Sequence, residues 1–205
     1  MAKIDKIPDL NQMKYKAVVF DLDGTLYNQT KLRLNMAMRL GIYYVCHFWK
    51  AKELFVLKYF REVRDKWEDN DAKLYEYIAD KKNVSPEYVK RVVMKWIYDN
   101  PLDLLIKCRN EELYSYISSL KNAGIPVIIF SDYPIEDKIK ALQIEPDGMY
   151  CPGDERNIEL KPSPMGLNLI LNDLALAPSG ILMVGDRDIK DGEAARRAGI
   201  DYYIV

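Results

Sequence analysis

Two aspartates stand two residues apart in the segment FDLDGTL, residues 20–26, directly after the apolar run of residues 17–19. Asp21 and Asp23 carry like charges that repel, and burying such carboxylates without partners is unfavourable. A loop that exposes both side chains to solvent would avoid this problem. A metal ion bound by both would use the pair for chemistry, because carboxylate oxygens are ligands of hard cations. These neighbouring residues alone leave both explanations open.

Further polar groups follow two later apolar runs. Ser131 comes after residues 126–130, and Asp186 comes after residues 181–185. Short apolar runs that end in polar residues are typical of parallel strands buried on both faces. Because binding sites form at the carboxyl ends of parallel strands, these groups should lie near the aspartate pair if all the runs belong to one sheet.

Lys161 and Asp191 add to this set. Lys161 lies between the later two runs in the turn LKPSP, and Asp191 comes five residues after Asp186. One carboxylate after a strand is commonplace in proteins. Several carboxylates from separate strands, with a lysine between them in the chain, indicate a functional site more strongly.

Helical segments separate the apolar runs. Residues 110–122 are predicted to form a helix that ends at Gly124, where glycine is a good C-terminal cap. Ser163 and Pro164 are the expected N-cap and first residue of a second helix. Residues 189–198 are predicted to form a third. Strands that alternate with helices predict an α/β fold with a mostly parallel, Rossmann-like sheet.

The middle of the chain follows a different pattern. Residues 31–67 carry aromatic and aliphatic side chains at helical spacing, and a further helix is expected after Ser85. The sequence therefore predicts an α/β core formed by residues 1–25 and 109–205. A helical domain of residues 26–108 is inserted after the first strand of that core.

The insert is mildly basic and rich in aromatic residues. Residues 26–115 contain 17 Lys and Arg against 13 Asp and Glu, whereas the remainder contains 13 against 18. Chance surface composition explains this as well as a basic lid that attracts an anion to an acidic, metal-holding floor. Most of the aromatic residues should pack the helices together. Tyr27, directly after the first motif, is the one expected nearest the site.

The composition argues against several classes of protein. The net charge is -1, and no basic tail of the kind that binds nucleic acid is present. No apolar run approaches a membrane span, and the segment MAKIDKIPDL is too polar for a signal peptide. Three separated cysteines and a single histidine argue against a zinc site. We therefore expect a cytoplasmic monomer or homodimer that binds neither nucleic acid nor membrane.

The order of these motifs resembles that of the haloacid dehalogenase (HAD) superfamily. FDLDGT, the pair SD, a lysine before proline and VGDRDIKD match the four motifs of that family, and the resemblance covers roughly residues 17–199. Asp23 and Ser131 are 108 positions apart, and in this family a long insert at that point is a helical cap. The resemblance thus implies a HAD-like core with an inserted cap.

The resemblance also implies roles for the acidic residues. Asp21 would attack phosphorus to form an aspartyl-phosphate, and Asp23 would act first as general acid and then as general base. The implied cofactor is Mg²⁺, which suits oxygen ligands. Its ligands would be the Asp21 side chain, the Asp23 backbone carbonyl, Asp186 and Asp191. Asp188, in the same motif, is expected to be a helix N-cap instead.

Other motif residues would contact the substrate or support the loops. Ser131 would hydrogen-bond a phosphoryl oxygen, and Lys161 would neutralise charge on the nucleophile and the transferring group. Gly24 permits a tight turn close to the phosphate, and Thr25 is expected to support its loop by hydrogen bonding. Asp132 stands where family members often carry Asn, and it should turn outward or contact a backbone amide.

The implied function is Mg²⁺-dependent hydrolysis of a small phosphorylated metabolite. Asp23 argues against dehalogenation, because the dehalogenases of this family lack the second aspartate. A phosphosugar mutase is the alternative because it uses the same core, although His47 lies 24 residues after Asp23 and is predicted to be a packing or surface residue. A phospho-receiver domain would not need the helical insert. A catalytically inactive family member that acts as a binding module is the remaining alternative.

Overall fold

The apolar runs of the sequence form strands of one parallel sheet. A computed structural model of the chain describes residues 1–64, 67, 71–152 and 158–205. Its strands are β1 (Ala17–Phe20), β2 (Val127–Phe130), β3 (Gly148–Tyr150), β4 (Ile181–Gly185) and β5 (Asp201–Ile204). They lie in the order β3-β2-β1-β4-β5, and each neighbouring pair is parallel. The predicted α/β fold with a parallel, Rossmann-like sheet is confirmed.

The central strand β1 explains why the first apolar run is so short and uniform. Val19 lies opposite Ile128 of β2 and Met183 of β4. All four residues of β1 are buried, which is usual for a parallel strand covered on both faces. The sequence does not predict β3, because only Tyr150 in this short strand is buried and no apolar run marks it.

Helices occupy the described chain between β1 and β2. They are α1 (Gln29–Cys46), α2 (Lys52–Arg64), α3 (Asp71–Lys82), α4 (Pro86–Val93), α5 (Leu102–Cys108) and α6 (Glu111–Asn122). The Ser85 side chain accepts a hydrogen bond from the Tyr88 amide at 3.2 Å, so Ser85 caps α4, which begins where the sequence predicts a helix. Met94–Asp99 follows α4 as a π-helical turn that carries the buried Trp96.

The remaining helices follow β2, β3 and β4. They are α7 (Glu136–Leu142), α8 (Met165–Asp173) and α9 (Glu193–Ala198). Pro164, not Ser163, occupies the N-cap position of α8, so the prediction is wrong by one residue. The Ser163 hydroxyl still accepts a hydrogen bond from the Met165 amide at 3.3 Å. The predicted helix of residues 189–198 is divided, because Asp188–Gly192 forms a π-helical turn before α9.

The described chain divides into two units. Met1–Thr30 and Leu105–Val205 form the first, which contains the sheet. Lys31–Leu104 forms the second, which we call the helical unit. The core of the helical unit contains the fully buried side chains of Leu74 and Ile78 on α3 and of Val89 and Val93 on α4. Each unit therefore has apolar residues of its own to stabilise it.

None of the helices in the described ranges is both long and apolar enough to cross a lipid bilayer.

A buried carboxylate ties the N-terminal segment to the sheet. Asp201 of β5 is 8% exposed and accepts hydrogen bonds from the Ala2 amide, the Lys14 ammonium and the Tyr15 hydroxyl at 2.5, 2.9 and 3.0 Å. Burial alone would raise the pKa of Asp201, but these hydrogen bonds lower it below its ordinary value. The ionised form of Asp201 therefore stabilises the folded state.

Replacement of Asp201 by Asn is expected to destabilise the fold by about 1–2 kcal/mol at pH 7, because it removes the charge that these donors bind. Since folding lowers the pKa of this carboxyl, its stabilising effect is complete above the unfolded value and is lost as the pH falls below about 4. Urea unfolding of both proteins at pH 7 and pH 3.5 measures the difference. A difference that stays constant over this range would contradict the prediction.

Candidate active site

Three carboxylates meet beyond the carboxyl ends of β1 and β4. The Asp21 amide donates to the Val184 carbonyl at 2.8 Å, which fixes Asp21 directly after β1. Asp186 follows β4, and Asp191 lies in the π-helical turn after it. Each offers a carboxylate oxygen, and these oxygens lie within 4.8 Å of one another. The structure thus brings together three side chains that the sequence predicts for one site.

Lys161 joins two of these carboxylates. Its ammonium lies 2.5 Å from Asp21 Oδ1 and 2.6 Å from Asp191 Oδ1. It also donates to the Phe130 carbonyl at 3.3 Å. The side chains of Lys161 and Asp191 are fully buried, and that of Asp21 is nearly so. Water screens such contacts little, so the three groups act as one electrostatic unit.

Burial and charge shift the ionisation of this unit. Burial raises the pKa of Asp21 above its ordinary value, against the opposing effect of the Lys161 ammonium. Burial would lower the pKa of Lys161, but the Asp21 and Asp191 carboxylates more than offset this and raise it. Lys161 is therefore a permanent cation that holds two carboxylates close together.

Gly24 lets the loop after β1 approach Asp186. Its φ is +105°, a conformation that residues with a side chain rarely adopt. A Cβ atom at Gly24 would lie 2.2 Å from Asp186 Oδ2. Glycine is thus required at position 24 for two reasons: the backbone conformation, and the absence of space for a side chain next to Asp186. Its predicted contact with phosphate stays a prediction.

The donor set fits a hard divalent cation. Asp186 Oδ1 is buried and accepts no hydrogen bond in the described structure, although Arg187 Nε lies 3.5 Å from it as an ion-pair partner. Burial raises the pKa of Asp186 above its ordinary value, against the opposing charges of Arg187 and Lys161. Carboxylate oxygens from Asp21, Asp186 and Asp191 are ligands that Mg²⁺ accepts. These three residues could hold the ion, whereas the Asp23 carbonyl as a fourth ligand stays a prediction.

The Asp23 carboxylate is bound by three other side chains. The Lys138 ammonium lies 2.6 and 2.8 Å from its two oxygens. The Tyr27 hydroxyl donates to Oδ1, and the Ser131 hydroxyl donates to Oδ2 at 3.3 Å. Ser131 therefore lies beside Asp23, and Tyr27 lies next to the first motif as expected. Sequence reasoning missed Lys138, because one lysine on the amphipathic helix α7 forms no motif.

Thr25 hydrogen-bonds the nucleophile candidate Asp21, whereas its predicted support of the loop stays a prediction. Its hydroxyl donates to Asp21 Oδ2 at 2.9 Å, while Asp21 Oδ1 receives the Lys161 ammonium. Thr25 is fully buried. Both oxygens of Asp21 therefore have a fixed donor, which orients the carboxylate. The predicted contacts of Thr25 and Lys161 with substrate remain predictions.

Asp132 contacts a backbone amide, which confirms the prediction for this departure from the family pattern. Its Oδ1 accepts a hydrogen bond from the Lys161 amide at 2.9 Å, and its Oδ2 lies 3.1 Å from the Lys190 ammonium. The carboxylate is buried, with Arg187 at 3.9 Å as a further cation. Asp132 therefore holds the backbone of Lys161 in place.

Asp188 is not a helix N-cap, so this prediction is wrong. It is the first residue of the π-helical turn, and Arg187 before it makes no side-chain capping bond. The Asp188 carboxylate instead accepts from Arg196 at 2.9 Å and lies 3.4 Å from the Lys3 ammonium. Those ion pairs replace the capping bond. Asp191, rather than Asp188, is the residue of this turn that lies with Asp21 and Asp186.

His47 packs against an aromatic neighbour. Its ring stacks on that of Tyr43 with 4.3 Å between the ring centres, and its Nδ1 lies 2.9 Å from the Tyr43 carbonyl. This agrees with the prediction of a packing or surface histidine. The structure shows no pairing of His47 with an acidic group in the described residues, as catalytic histidines commonly have.

The fold and these residues together define a class of protein. It is an α/β protein with a cluster of aspartates and a buried lysine at the carboxyl ends of its parallel strands. The sequence profile of the haloacid dehalogenase-like hydrolases matches residues 15–199. The chain belongs to this family of hydrolases.

Solved structures share this fold over nearly the whole chain. A 2-haloacid dehalogenase from Pseudomonas syringae matches with a TM-score of 0.65 and 16% identity, covering 92% of this chain and 85% of its own. A protein described as a β-phosphoglucomutase from Thermotoga maritima matches with a TM-score of 0.62 and 20% identity, covering 92% of this chain and 84% of its own. A predicted phosphoglycolate phosphatase from Haemophilus somnus matches with a TM-score of 0.59 and 21% identity, covering 93% of this chain and 84% of its own. Identities this low show the shared fold alone.

A comparison with curated proteins gives no match.

Proposed function

We propose that the protein is a Mg²⁺-dependent phosphatase that hydrolyses a small phosphomonoester through an aspartyl-phosphate intermediate. The proposal rests chiefly on the oriented Asp21 carboxylate, which Thr25 and Lys161 hold beside Asp186 and Asp191. Such a carboxylate can act as a nucleophile toward phosphorus. The surrounding acids, and the Asp186 oxygen that accepts no hydrogen bond, suit the cation that a phosphate dianion would need at this place.

The first step transfers the phosphoryl group to Asp21. One oxygen of Asp21 forms a bond to phosphorus, and the bond from phosphorus to the ester oxygen breaks. Asp23, in its protonated form, gives its proton to the departing oxygen, so an alcohol leaves. Lys161 stays charged throughout and offsets negative charge on Asp21.

The second step releases phosphate and restores the enzyme. Asp23, now ionised, takes a proton from a water molecule as that water attacks phosphorus. The bond between Asp21 and phosphorus breaks, phosphate leaves, and Asp23 is protonated again. Ser131, whose hydroxyl donates to Asp23 in this structure, would turn that hydroxyl to a phosphoryl oxygen when the substrate binds.

The cation would be held by Asp21, Asp186 and Asp191, with the Asp23 carbonyl as the predicted further ligand. When bound, Mg²⁺ supplies positive charge that lets a phosphate dianion lie among carboxylates. Gly24 and Thr25 belong to the loop that would contact the phosphate.

The geometry favours a phosphatase over the alternatives. A second aspartate two residues after Asp21 provides a proton carrier for a leaving group that needs a proton. A carbon–halogen bond needs none, which argues against dehalogenation. The stacked His47 gives no support to mutase chemistry. An inactive binding module would not need the buried pairing of Lys161 with Asp21 and Asp191. We propose a small phosphorylated metabolite as the substrate.

Hydrolysis of p-nitrophenyl phosphate tests the proposal. Purified protein is expected to release p-nitrophenol with Mg²⁺, to lose more than about 90% of that rate with excess EDTA, and to regain it when Mg²⁺ is restored. The release of phosphate is then measured over a panel of sugar phosphates, phosphoglycolate and nucleotides. If the protein hydrolysed neither p-nitrophenyl phosphate nor any ester of the panel, the result would count against a phosphatase and would favour the mutase or the binding module.

Replacement of Lys138 by Met is expected to lower kcat by about tenfold with little change in KM, because Lys138 orients Asp23 through both carboxylate oxygens. Lys138 is thus a positioning residue. Lys138→Arg, which keeps a cation, should recover part of the loss. Lys140→Met is the matched control, since Lys140 is exposed on the same helix. An equal fall in kcat for Lys138→Arg and Lys138→Met would contradict orientation by charge.

A further inference from the structure

The helical unit contains a pocket of its own. The volume is about 610 Å³, within the usual range for small-molecule sites. The described residues that line the pocket all belong to Lys31–Leu104, so none of them is shared with the aspartate cluster. Four cationic side chains line the pocket: Lys50, Lys52, Arg91 and Lys95.

Within the described part of the chain, none of these four cations forms an ion pair with a carboxylate. Lys50 and Lys95 both donate to the Tyr43 hydroxyl, at 3.2 and 3.0 Å, and these hydrogen bonds lower the pKa of Tyr43. Lys52 donates to the Asn83 carbonyl at 3.2 Å. Because these like charges repel one another and their hydrogen-bond acceptors are neutral, an anion in the pocket that they line would be stabilised.

Among the described lining residues Glu53 is the one carboxylate, and it does not neutralise this charge. Glu53 is only 8% exposed, and its Oε2 accepts hydrogen bonds from the Tyr44 hydroxyl at 2.8 Å and the Trp96 indole at 3.1 Å. Its hydrogen bonds therefore go to buried neutral groups of the unit. Four cations against one carboxylate leave the pocket with a positive excess.

Two aromatic residues also line the pocket. Trp49 is 65% exposed. The Arg91 guanidinium lies over the Tyr88 ring, with its Cζ 5.2 Å from the ring centre. An exposed indole beside several cations is suited to a ligand with anionic groups and a flat ring. One phosphate needs fewer donors than four long cationic side chains provide, which favours several linked phosphates.

We propose that this pocket binds an oligophosphate anion. The shared chemistry is a chain of phosphates, which occurs free as an inorganic oligophosphate or as part of a nucleotide. The site is separate in its residues from the proposed catalytic centre, and its occupancy does not depend on the proposed function.

Isothermal titration calorimetry with tripolyphosphate and with ATP, both in excess EDTA, tests this. Wild type is expected to bind tripolyphosphate with one site per chain, and the affinity should fall as salt is raised. Arg91→Glu and Lys50→Glu are each expected to weaken binding by about tenfold or more. Lys90→Glu is the matched control, because Lys90 is exposed next to Arg91 but does not line the pocket. It should change the affinity less than about twofold.

The Asp21→Asn variant separates this site from the catalytic centre. Unchanged oligophosphate affinity in Asp21→Asn, with loss in Arg91→Glu, supports the pocket. Loss of affinity in Asp21→Asn with unchanged affinity in Arg91→Glu overturns it. So does a Lys90→Glu variant that weakens binding as much as Arg91→Glu does, and so does a wild type that binds neither tripolyphosphate nor ATP. With the pocket supported, a tighter affinity for ATP that is lost in Trp49→Ala identifies a nucleotide. Equal affinities for ATP and tripolyphosphate identify the phosphate chain alone.

Discussion

Replacement of Asp21 by Asn is expected to lower kcat by about 10³-fold or more, because the amide cannot form the bond to phosphorus that the proposed first step needs. The shape of the side chain is retained, and Thr25 and Lys161 remain in place to hold it. Mixing the variant with a phosphate ester and isolating the protein by acid quench should show no covalent phosphate. The wild type should show it during turnover.

The same substitution should leave the fold at least as stable. Because folding raises the pKa of Asp21, its ionised carboxylate disfavours the folded state at pH values above that pKa. A neutral amide lacks that effect. In EDTA at pH 7.5, the Tm of Asp21→Asn is therefore expected to be no lower than that of the wild type.

Asp188→Asn is the matched control for this experiment. Asp188 lies in the same turn as Asp191, but its carboxylate pairs with Arg196. Its replacement should change kcat less than about twofold. Substantial residual activity in Asp21→Asn, or covalent phosphate on that variant, would show that Asp21 is not the nucleophile.

Replacement of Lys161 by Met is expected to abolish activity and also to destabilise the fold by about 3–5 kcal/mol in EDTA. The variant leaves the buried Asp21 and Asp191 carboxylates facing each other without the ammonium that lies 2.5 and 2.6 Å from them. The packing loss is small, because Met fills most of the space of the lysine stem. The free energy of unfolding in urea measures the effect.

A second substitution identifies charge as the cause. Lys161→Met combined with Asp191→Asn removes one of the two facing carboxylates, and it should recover a large part of the lost stability. Added Mg²⁺ should likewise stabilise the Lys161→Met variant more than it stabilises the wild type, because the cation replaces the missing charge. Additive effects of the two substitutions, without recovery, would contradict this explanation.

The sequence predicts the sheet and the acidic cluster well, for physical reasons. A strand buried on both faces must be apolar throughout, so Ala17–Phe20 and Ile181–Gly185 are visible as runs. Parallel topology then brings the groups after each run to one edge, which is why Asp21 and Asp186 could be placed together. The choice of Asp191 over Asp188 follows from the resemblance to the family, because the spacing from Asp191 to Ala194 and Ala195 fits the family motif.

Other features depend on tertiary contacts that no local pattern contains. β3 is a short strand of which only Tyr150 is buried, so periodicity does not mark it. Lys138 reaches Asp23 across 115 positions of the chain, and nothing next to either residue indicates the pair. Aspartate is a common N-cap residue, but the Asp188 carboxylate pairs with Arg196 and Lys3 instead of a helix amide.

Because Gly24 packs closely on Asp186, the effects of substitutions in the two loops that contain these residues should depend on one another. Any side chain at position 24 would collide with the Asp186 carboxylate, at 2.2 Å from the first added carbon. Shortening residue 186 would remove the collision, but a metal-ligand candidate would be lost, and the φ of +105° would still favour glycine. Neither position can be optimised alone in directed evolution. Libraries that aim to change the chemistry of this centre should vary both loops together.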